Sequence, residues 1–338
     1  MTNVCLITVF VSSLLTGANP AVQEEVNRFL DADRAGDRAA VLRRLAGIPV
    51  SEVEAALRNG TAAKPAAKAD TLLVRKLSTV VGKREFESIV YLPRGYTPQK
   101  RYRLLIALQG TGGNGAGYIK VWLPWIRKRA DTILAVPTIV GEPWGGSRAA
   151  HSHVHTLLGD LVRNFSVDDN QVWMGGMSMG GHAAFRIGCF RADRFAGLIC
   201  RVHGPAFEPP PGKAAAKDGS NLVPRFLENL NNTPLYWIVG KSDPGISIDL
   251  MRRGNDRLRQ LKYDVTFREM DGGHQPFLVE NDGILNWMDG KARNPYLQQV
   301  VLHTNCPDHT RLWWVQIKQF DARDGPHARF PWKAGRQP

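Results

Sequence analysis

Residues 171–185 read QVWMGGMSMGGHAAF, and they indicate the architecture of the whole chain. A short apolar run leads into Gly176-Met177-Ser178-Met179-Gly180, and small residues follow. This G-x-S-x-G spacing is typical of a strand that turns sharply into a helix and lifts the serine out of the backbone. Glycines are expected on either side because Cβ atoms would collide with neighbouring backbone in so tight a turn. The alternative is a glycine-rich turn with an incidental serine, and the surrounding sequence decides between the two.

The composition is that of a globular protein with a basic surface. The chain has 338 residues, of which 43% are hydrophobic and 22% charged, with a formal net charge of +13. Such a charge favours a solvated basic surface first and an acidic substrate or matrix second. Because the basic residues are scattered, with no zinc-finger spacing and no RNA-recognition aromatic motif, nucleic acid is not an expected partner.

The first residues are typical of a secretory leader. An apolar run at 4–15 is followed by Thr16-Gly17-Ala18, and the run is short for a membrane span. We therefore expect a signal peptide at 1–21 and a secreted or periplasmic protein. A buried N-terminal strand or helix is the alternative, and no later segment is expected to cross a membrane.

The remaining sequence divides into three expected parts. Residues 22–70 have helical spacing of apolar residues and end in an Ala/Lys/Pro-rich stretch, which indicates a helical preface and a linker. From 71 to 293, two strands predicted to turn at Gly82-Lys83 precede buried strands that alternate with helices. That alternation predicts an α/β domain with a doubly wound, mostly parallel sheet. Residues 294–338 contain the runs QQVVLHTN and RLWWVQIKQF and indicate a small β appendix with a polar tail.

Two later strand ends supply the partners that a nucleophilic serine needs. A serine hydroxyl needs a base to take its proton and an acid to orient that base, in the chain order Ser, Asp, His on this kind of sheet. Asp243 directly follows the strand PLYWIVG, and His274 follows DVTFREM. We expect Ser178, Asp243 and His274 to form a catalytic triad. Asp271 is the rival acid, but it lies too close to His274 in sequence for the usual loop arrangement.

Acyl transfer also needs amide donors for the developing oxyanion. One is expected at Met179, the residue after the serine, and the other in the glycine-rich loop after the strand RYRLLIALQ, at Thr111 or Gly110. A flexible turn or a phosphate-binding loop is the alternative for GTGGNG. Since no GK[ST] follows, the nucleotide interpretation is disfavoured.

The other chemistry-bearing residues give weaker indications. His203 follows a buried strand and Trp144 lies in a Gly/Pro/Trp loop, so both are candidates for the substrate pocket. His151, His153 and His155 alternate without an acidic ligand beside them, and we expect no metal there. Neither a metal nor an organic cofactor is expected. Cys189 and Cys200 lie in apolar surroundings, where buried free thiols are the usual explanation.

The segments YLPRGYTPQKRYRLLIALQGTGGNG, DDNQVWMGGMSMGGHAAF, IVGKSD and GGH carry a family resemblance. From roughly 72 to 290 the chain resembles α/β-hydrolases of the esterase group that includes polyhydroxybutyrate depolymerases, feruloyl esterases and dienelactone-hydrolase-like proteins. The resemblance implies acyl-serine chemistry at Ser178. Relatives usually have His-Gly where this chain has Gln109-Gly110, and the dienelactone branch uses a cysteine nucleophile, so Ser178 favours an esterase.

The sequence therefore predicts a serine esterase acting on a carboxylic ester, free or linked to polysaccharide or polyester. A serine peptidase of the same fold is one alternative, although residues 21–70 are short for a gating domain. A non-catalytic polysaccharide-binding protein is the other, and an intact set of triad residues argues against it. Which acyl group is cleaved, the oligomeric state and the roles of 22–70 and 294–338 stay open at this stage.

Overall fold

The structure is a computed structural model that describes most of the chain in two compact units, Met1–Pro65 and Ala66–Pro338. The described residues are 19–31, 35–59, 67–78, 85–138, 148–208, 214–215, 222–224, 226–304, 309 and 311–317. The predicted leader up to residue 18, the turn at Gly82-Lys83, Trp144 and the tail from 318 lie outside them. The predicted domain limits at 22, 71 and 294 stay predictions.

The first unit is helical, as the spacing of its apolar residues predicts. Its three described helices are α1 (Pro20–Asp31), α2 (Ala35–Leu45) and α3 (Val50–Asn59). Helices of 10 to 12 residues are marginal in isolation and need packing. Val22, Val26 and Ala56 provide it as a small buried cluster.

The second unit is built on an eight-stranded sheet among the described residues. Its strands are β1 Thr71–Ser78, β2 Glu85–Leu92, β3 Tyr102–Leu108, β4 Thr132–Pro137, β5 Val167–Met177, β6 Gly197–Arg201, β9 Leu235–Gly240 and β10 Val265–Met270. Across the sheet they lie in the order β1-β2-β4-β3-β5-β6-β9-β10. Two further strands of two residues each, β7 (Phe207–Glu208) and β8 (Val223–Pro224), pair with each other in the segment between β6 and β9.

The pairing confirms the predicted mostly parallel sheet. β1 and β2 are antiparallel to each other, and β2 is antiparallel to β4. From β4 through β3, β5, β6 and β9 to β10, every neighbouring pair is parallel. The carboxyl ends of the strands that precede Ser178, Asp243 and His274 therefore lie at the same end of the sheet.

Helices cover both faces of the sheet. The apolar clusters place α5 (Arg148–Asn164), α6 (Met179–Phe190) and α7 (Ile248–Gln260) on one face. The other face is covered by α4 (Gly115–Ile126) and α8 (Asn281–Met288). Alternate residues of β3 pack on opposite faces of the sheet: Leu104 and Ile106 belong to the first apolar cluster and Leu105 to the second. This is the period-2 arrangement of a strand buried on both faces.

The C-terminal region contains the predicted small β appendix, but one of its two predicted strands is wrong. Within the predicted run RLWWVQIKQF, residues 311–316 form a hairpin of β11 (Arg311–Leu312) and β12 (Val315–Gln316) in place of one strand. The other run, QQVVLHTN, forms no strand before the isolated bridge at Thr304. Its backbone is instead bound by a side-chain amide, because Asn229 Nδ2 donates to His303 O at 2.8 Å and His303 N–H donates to Asn229 Oδ1 at 2.6 Å.

Within the described ranges, no helix is both long and apolar enough to cross a membrane.

Candidate active site

Ser178 lies at the sharp turn between β5 and α6, as the G-x-S-x-G pattern predicts. Its backbone has φ 55° and ψ −122°, a conformation that residues other than glycine rarely adopt. A Cβ on Gly176 would lie 2.2 Å from Gly180 O, and one on Gly180 would lie 2.1 Å from Leu108 O. Both flanking glycines are therefore required by backbone packing, and the turn presents the serine at the end of the sheet.

The three predicted triad residues are brought together in one hydrogen-bonded chain. His274 Nε2 lies 2.8 Å from Ser178 Oγ, and His274 Nδ1 lies 2.6 Å from Asp243 Oδ2. With its Nδ1 proton donated to the carboxylate, the ring presents a lone pair on Nε2 to the serine hydroxyl. This is the geometry that a base and its orienting acid need.

Asp243 is held much more firmly than the histidine it contacts. Its side chain is only 1% exposed, while that of His274 is 33% exposed. The second carboxylate oxygen, Oδ1, accepts the N–H groups of Gly245 at 2.9 Å and Ile246 at 3.1 Å. Because both oxygens are occupied, the carboxylate has a single orientation toward the imidazole.

The Asp243 and His274 loops touch through backbone. A Cβ on Gly240 would lie 2.3 Å from Gly273 O, and Ser242 N–H donates to Gly272 O at 3.0 Å. The rival acid Asp271 points elsewhere, since it pairs with Lys241 at 2.7 Å on the surface. The structure thus separates the two aspartates as the loop spacing predicts.

The loop after β3 lies against the serine turn. A Cβ on Gly110 would lie 3.4 Å from Ser178 Cβ, so its backbone is a direct neighbour of the nucleophile candidate. Met179 is the first residue of α6, where a helix leaves its amide groups without carbonyl partners inside the helix. Thr111 is exposed in the turn closed by the Gly113 N–H bond to Gly110 O at 3.2 Å.

His203 borders the site together with His182, which the sequence places one turn beyond Ser178 and predicts to be a packed helix residue. The ring centroids of His182 and His203 are 4.6 Å apart, and both rings contact the backbone of Gly204. Gly204 N–H donates to His203 Nδ1 at 2.8 Å, and His182 Nδ1 lies 3.2 Å from Gly204 O. Burial lowers the pKa of His203 to about 4, with His274 and Asp243 among the charges that act on it. The ring is therefore neutral at pH 7.

The histidines of α5 are core residues. His151 and His153 are buried, and burial lowers the pKa of each of them and of His155 to about 3. No group of three or more His, Cys, Asp or Glu side chains among the described residues is placed to hold a metal ion. Cys189 and Cys200 are buried free thiols.

Arg201 is the residue that sequence reasoning missed. It ends β6 with no exposed surface, and its guanidinium Nη1 donates to Pro276 O at 2.5 Å, two residues after His274. The sequence signal that could have found it is that Arg201 is the one charged residue in the otherwise apolar run FAGLICRV.

The sheet order, the turn at Ser178 and the placement of Asp243 and His274 after later strands define this chain as a protein of the α/β-hydrolase fold. The comparisons with known proteins agree with that class.

Among solved structures, a thermostable esterase has 17% sequence identity and a TM-score of 0.53, over 66% of this chain and 64% of that one. A ferulic acid esterase from Anaeromyces mucronatus has 15% identity and a TM-score of 0.50, over 68% and 93%. An S-formylglutathione hydrolase from Agrobacterium tumefaciens has 16% identity and a TM-score of 0.50, over 67% and 97%. At these identities the likeness establishes the fold.

Among curated proteins, a poly(3-hydroxybutyrate) depolymerase from Ralstonia pickettii is 32% identical over 148 residues. The match covers 36% of this chain and 28% of the depolymerase, so the chain spans little more than a quarter of that relative's length. No protein-family model matches the chain.

Proposed function

We propose that this protein is a serine hydrolase that cleaves carboxylic esters through an acyl-serine intermediate. The observation that carries the proposal is the hydrogen-bonded chain from Ser178 through His274 to Asp243, with heavy-atom distances of 2.8 and 2.6 Å. A serine in a merely structural turn has no need of a base at hydrogen-bonding distance or of a buried acid behind that base.

In the acylation step, His274 Nε2 takes the proton of the Ser178 hydroxyl as Oγ attacks the ester carbonyl carbon. Asp243 keeps the Nδ1 proton in place and stabilises the imidazolium that forms. The imidazolium then donates its Nε2 proton to the departing alkoxide. An alcohol leaves, and the acyl group stays on Ser178 Oγ.

The carbonyl oxygen gains negative charge during the attack and needs donors that are already oriented. We assign the backbone N–H of Met179 to this role, because it lies at the N-terminus of α6 beside Ser178. The second donor is assigned to the loop at Gly110 and Thr111, whose backbone approaches the serine. Removal of one such donor typically costs about 100- to 1,000-fold in kcat.

In the deacylation step, His274 acts as base toward water. The hydroxide equivalent attacks the acyl carbonyl, the same donors hold the oxyanion, and the proton on Nε2 returns to Ser178 Oγ as the carboxylic acid leaves. His203 is assigned to the wall of the substrate pocket, since its neutral ring lies near the triad. Trp144 is assigned to the same wall from its sequence position alone.

The comparisons support an ester rather than an amide substrate. The curated relative acts on a polyester, and the solved structures of similar fold include two esterases. We therefore infer a polyester- or polysaccharide-linked ester, or a simple ester, and rank a peptide substrate below them.

The test is hydrolysis of p-nitrophenyl acetate by the purified protein beside Ser178→Ala. We expect the variant to lose about 10⁴-fold or more of the rate. Equal background rates in both proteins would refute the proposal and favour a binding protein. Activity on a matched p-nitroanilide that exceeds activity on the ester would favour the peptidase alternative, and a panel of feruloyl, acetyl-xylan and 3-hydroxybutyrate oligomer esters then identifies the acyl group.

We further propose that the protein is secreted or periplasmic and that residues 1–21 are removed as a signal peptide. The support is the apolar run at 4–15 followed by small residues. N-terminal sequencing of the protein purified from its native host tests this. A native N-terminus at Met1 would refute it.

A further inference from the structure

Arg201 is a fully buried arginine directly beside the serine turn. Its side chain is 0% exposed, whereas arginine is almost never fully buried unless its charge is paired. It is in register with Met177 on the neighbouring strand, and its carbonyl oxygen accepts the N–H of Ser178 at 2.9 Å. The backbone of Arg201 therefore supports the nucleophile candidate.

The side chain of the same residue binds the segment that follows His274. Arg201 Nη1 donates to Pro276 O at 2.5 Å and to Phe277 O at 3.5 Å. Nη2 donates to Oδ1 of Asn281, the first residue of α8. We call residues 271–277 the histidine loop. Arg201 thus contacts the serine turn through its backbone and the histidine loop through its guanidinium.

The guanidinium is fixed from the α4 side as well. Its Cζ lies 4.5 Å from the centroid of the Trp122 ring, and Trp122 is itself 0% exposed. Asn281 Nδ2 donates to Val121 O at 3.3 Å, which connects the arginine's polar partner to α4. The head group therefore has a fixed place between α4, α8 and the histidine loop.

The charge of Arg201 is directed at neutral oxygen atoms. Burial lowers the pKa of the guanidinium to about 10, so it is still a cation at neutral pH, and Glu280 acts on it only through longer-range attraction. Hydrogen bonds from a charged donor are about twice as strong as neutral ones. The strongest polar contacts of this cation are therefore directed at Pro276 O and Asn281 Oδ1.

Apart from its backbone contacts with the Asp243 loop, the histidine loop is irregular, and Arg201 gives it further support. His274 is 33% exposed, and residues 271–275 form only bends. Gly272 has φ +130°, and Phe277 has φ 46°. A left-handed conformation at a bulky residue is costly and persists where the surroundings impose it. Arg201 binds the carbonyl groups on both sides of the Phe277 N–Cα bond.

We propose that Arg201 is a positioning residue for the proposed hydrolysis, and that its hold on the Pro276 and Phe277 carbonyls keeps His274 in line between Ser178 and Asp243. The inference rests on the proposed function. Misplacement of a catalytic group by about 1 Å can cost about 100-fold in rate.

The experiment compares Arg201→Met, which removes the charge and keeps an apolar chain of similar length, with Arg201→Lys, which keeps one charged donor. Active sites are counted by the p-nitrophenol burst and by labelling of Ser178 with a fluorophosphonate, and kcat is expressed per counted site. For Arg201→Met we expect kcat per site to fall about 100-fold with KM within about threefold, and for Arg201→Lys a partial recovery of about tenfold. The acid limb of the kcat/KM profile should move to lower pH, because the imidazolium loses part of its stabilisation by Asp243.

Arg268→Met is the matched control. Arg268 is 52% exposed and donates to Glu280 at 3.2 Å. We expect wild-type kcat per site and an unchanged pH profile. A purely structural role for Arg201 would lower the number of active sites and leave kcat per site and the pH profile as in the wild type, and that result in either Arg201 variant would overturn the inference. If Arg201→Met yields no soluble protein, Arg201→Lys decides by the same criterion.

The two proposals fail in different ways. A wild-type protein that is labelled by the fluorophosphonate but hydrolyses no ester refutes the proposed function, and the labelling rate per folded molecule still tests Arg201. A wild type that hydrolyses esters with Ser178-dependent kinetics, beside Arg201 variants of wild-type kcat, refutes only the role of Arg201. A wild type that is neither labelled nor active refutes both.

Discussion

The Asp243 carboxylate is 1% exposed and lies 2.6 Å from the Nδ1 of His274, whose own side chain is 33% exposed. A buried acid therefore holds an accessible base. The accessible ring can meet substrate and water, and the buried carboxylate, with Oδ1 bound to the Gly245 and Ile246 amides, supplies a fixed reference for it.

Replacement of the acid tests this pairing. In Asp243→Asn the side-chain amide would favour the wrong tautomer of His274, with the proton on Nε2 facing Ser178. We expect kcat to fall about 10⁴-fold with little change in KM. Steady-state kinetics on p-nitrophenyl acetate measures it, with Asp271→Asn as the control because Asp271 pairs only with Lys241 on the surface. A larger loss in the control than in Asp243→Asn would return the acid role to Asp271.

The backbone conformation of Ser178 predicts that a glycine at this position makes the protein more stable while it removes the activity. Its φ of 55° and ψ of −122° suit glycine, so Ser178→Gly should relieve strain that Ser178→Ala keeps. Both variants lose the hydroxyl and should be inactive. We expect Ser178→Gly to be more stable than Ser178→Ala by about 1 kcal/mol in the free energy of unfolding. Urea denaturation compares the two, and an alanine variant as stable as the glycine variant would contradict the strain.

The close packing at Gly180 predicts a large effect of a single methyl group. A Cβ there would lie 2.1 Å from Leu108 O, so Gly180→Ala must push apart α6 and the end of β3. We expect it to lower the free energy of unfolding by about 2 kcal/mol or more. The matched control is Gly159→Ala in α5, where a Cβ meets only the flexible end of Arg163 at 3.3 Å.

Gly159→Ala should instead be neutral or stabilise by up to about 1 kcal/mol, because alanine is the better helix former. Thermal unfolding of both variants beside the wild type provides the comparison. Equal melting temperatures for the two alanine variants would show that the serine turn tolerates a side chain at 180.

The buried histidines of α5 predict acid lability. Burial lowers the pKa of His153 from 6.5 to about 3, so the folded state keeps the ring neutral while the unfolded chain binds a proton below pH 6.5. Stability is therefore fully present above pH 6.5 and is lost as pH falls from there toward 3, at up to about 1.4 kcal/mol per pH unit for each such ring.

His153→Leu should flatten that dependence, since the cause of the shift at this residue is burial. Urea unfolding at pH 7.5, 6.5, 5.5 and 4.5 measures the slope for wild type and variant. Gly159→Ala in the same helix serves as the control, because it changes no titratable group. A His153→Leu slope as steep as that of the wild type would contradict the prediction.

The contact at Asn229 predicts how the C-terminal segment is held. Asn229 is 0% exposed and makes two hydrogen bonds with the backbone of His303. We expect Asn229→Ala to cost about 1–3 kcal/mol, since it leaves His303 N–H and C=O without these partners. Asn232→Ala, which loses one exposed bond to Gln299 O at 3.1 Å, should cost under about 1 kcal/mol. Chemical denaturation and the rate of tryptic cleavage after residue 293 measure both, and a larger effect in Asn232→Ala would contradict the assignment.

Local patterns were enough for the sheet and for the members of the site. Residues 104–108 of β3 are apolar on both faces, and such a run has few structural options other than a central parallel strand. Gly176 and Gly180 are required by steric exclusion at one turn, so the turn can be recognised from five residues. Asp243 and His274 can be predicted as neighbours because each follows a strand end, and parallel strands bring their carboxyl ends to the same end of the sheet.

Contacts between distant segments were beyond that reasoning. The run QQVVLHTN has strand propensity, yet its partner is an asparagine about 70 residues earlier, and no local pattern records such a pairing. Arg201 has the same character: its meaning depends on Trp122, Pro276 and Asn281, which meet only when α4, the histidine loop and α8 pack on one face of the sheet. Short-range sterics and hydrophobic periodicity suffice to predict the central strands, the serine turn and the three residues of the proposed triad. How those three residues are held follows only from the packed structure, because a buried charge is defined by the groups that surround it.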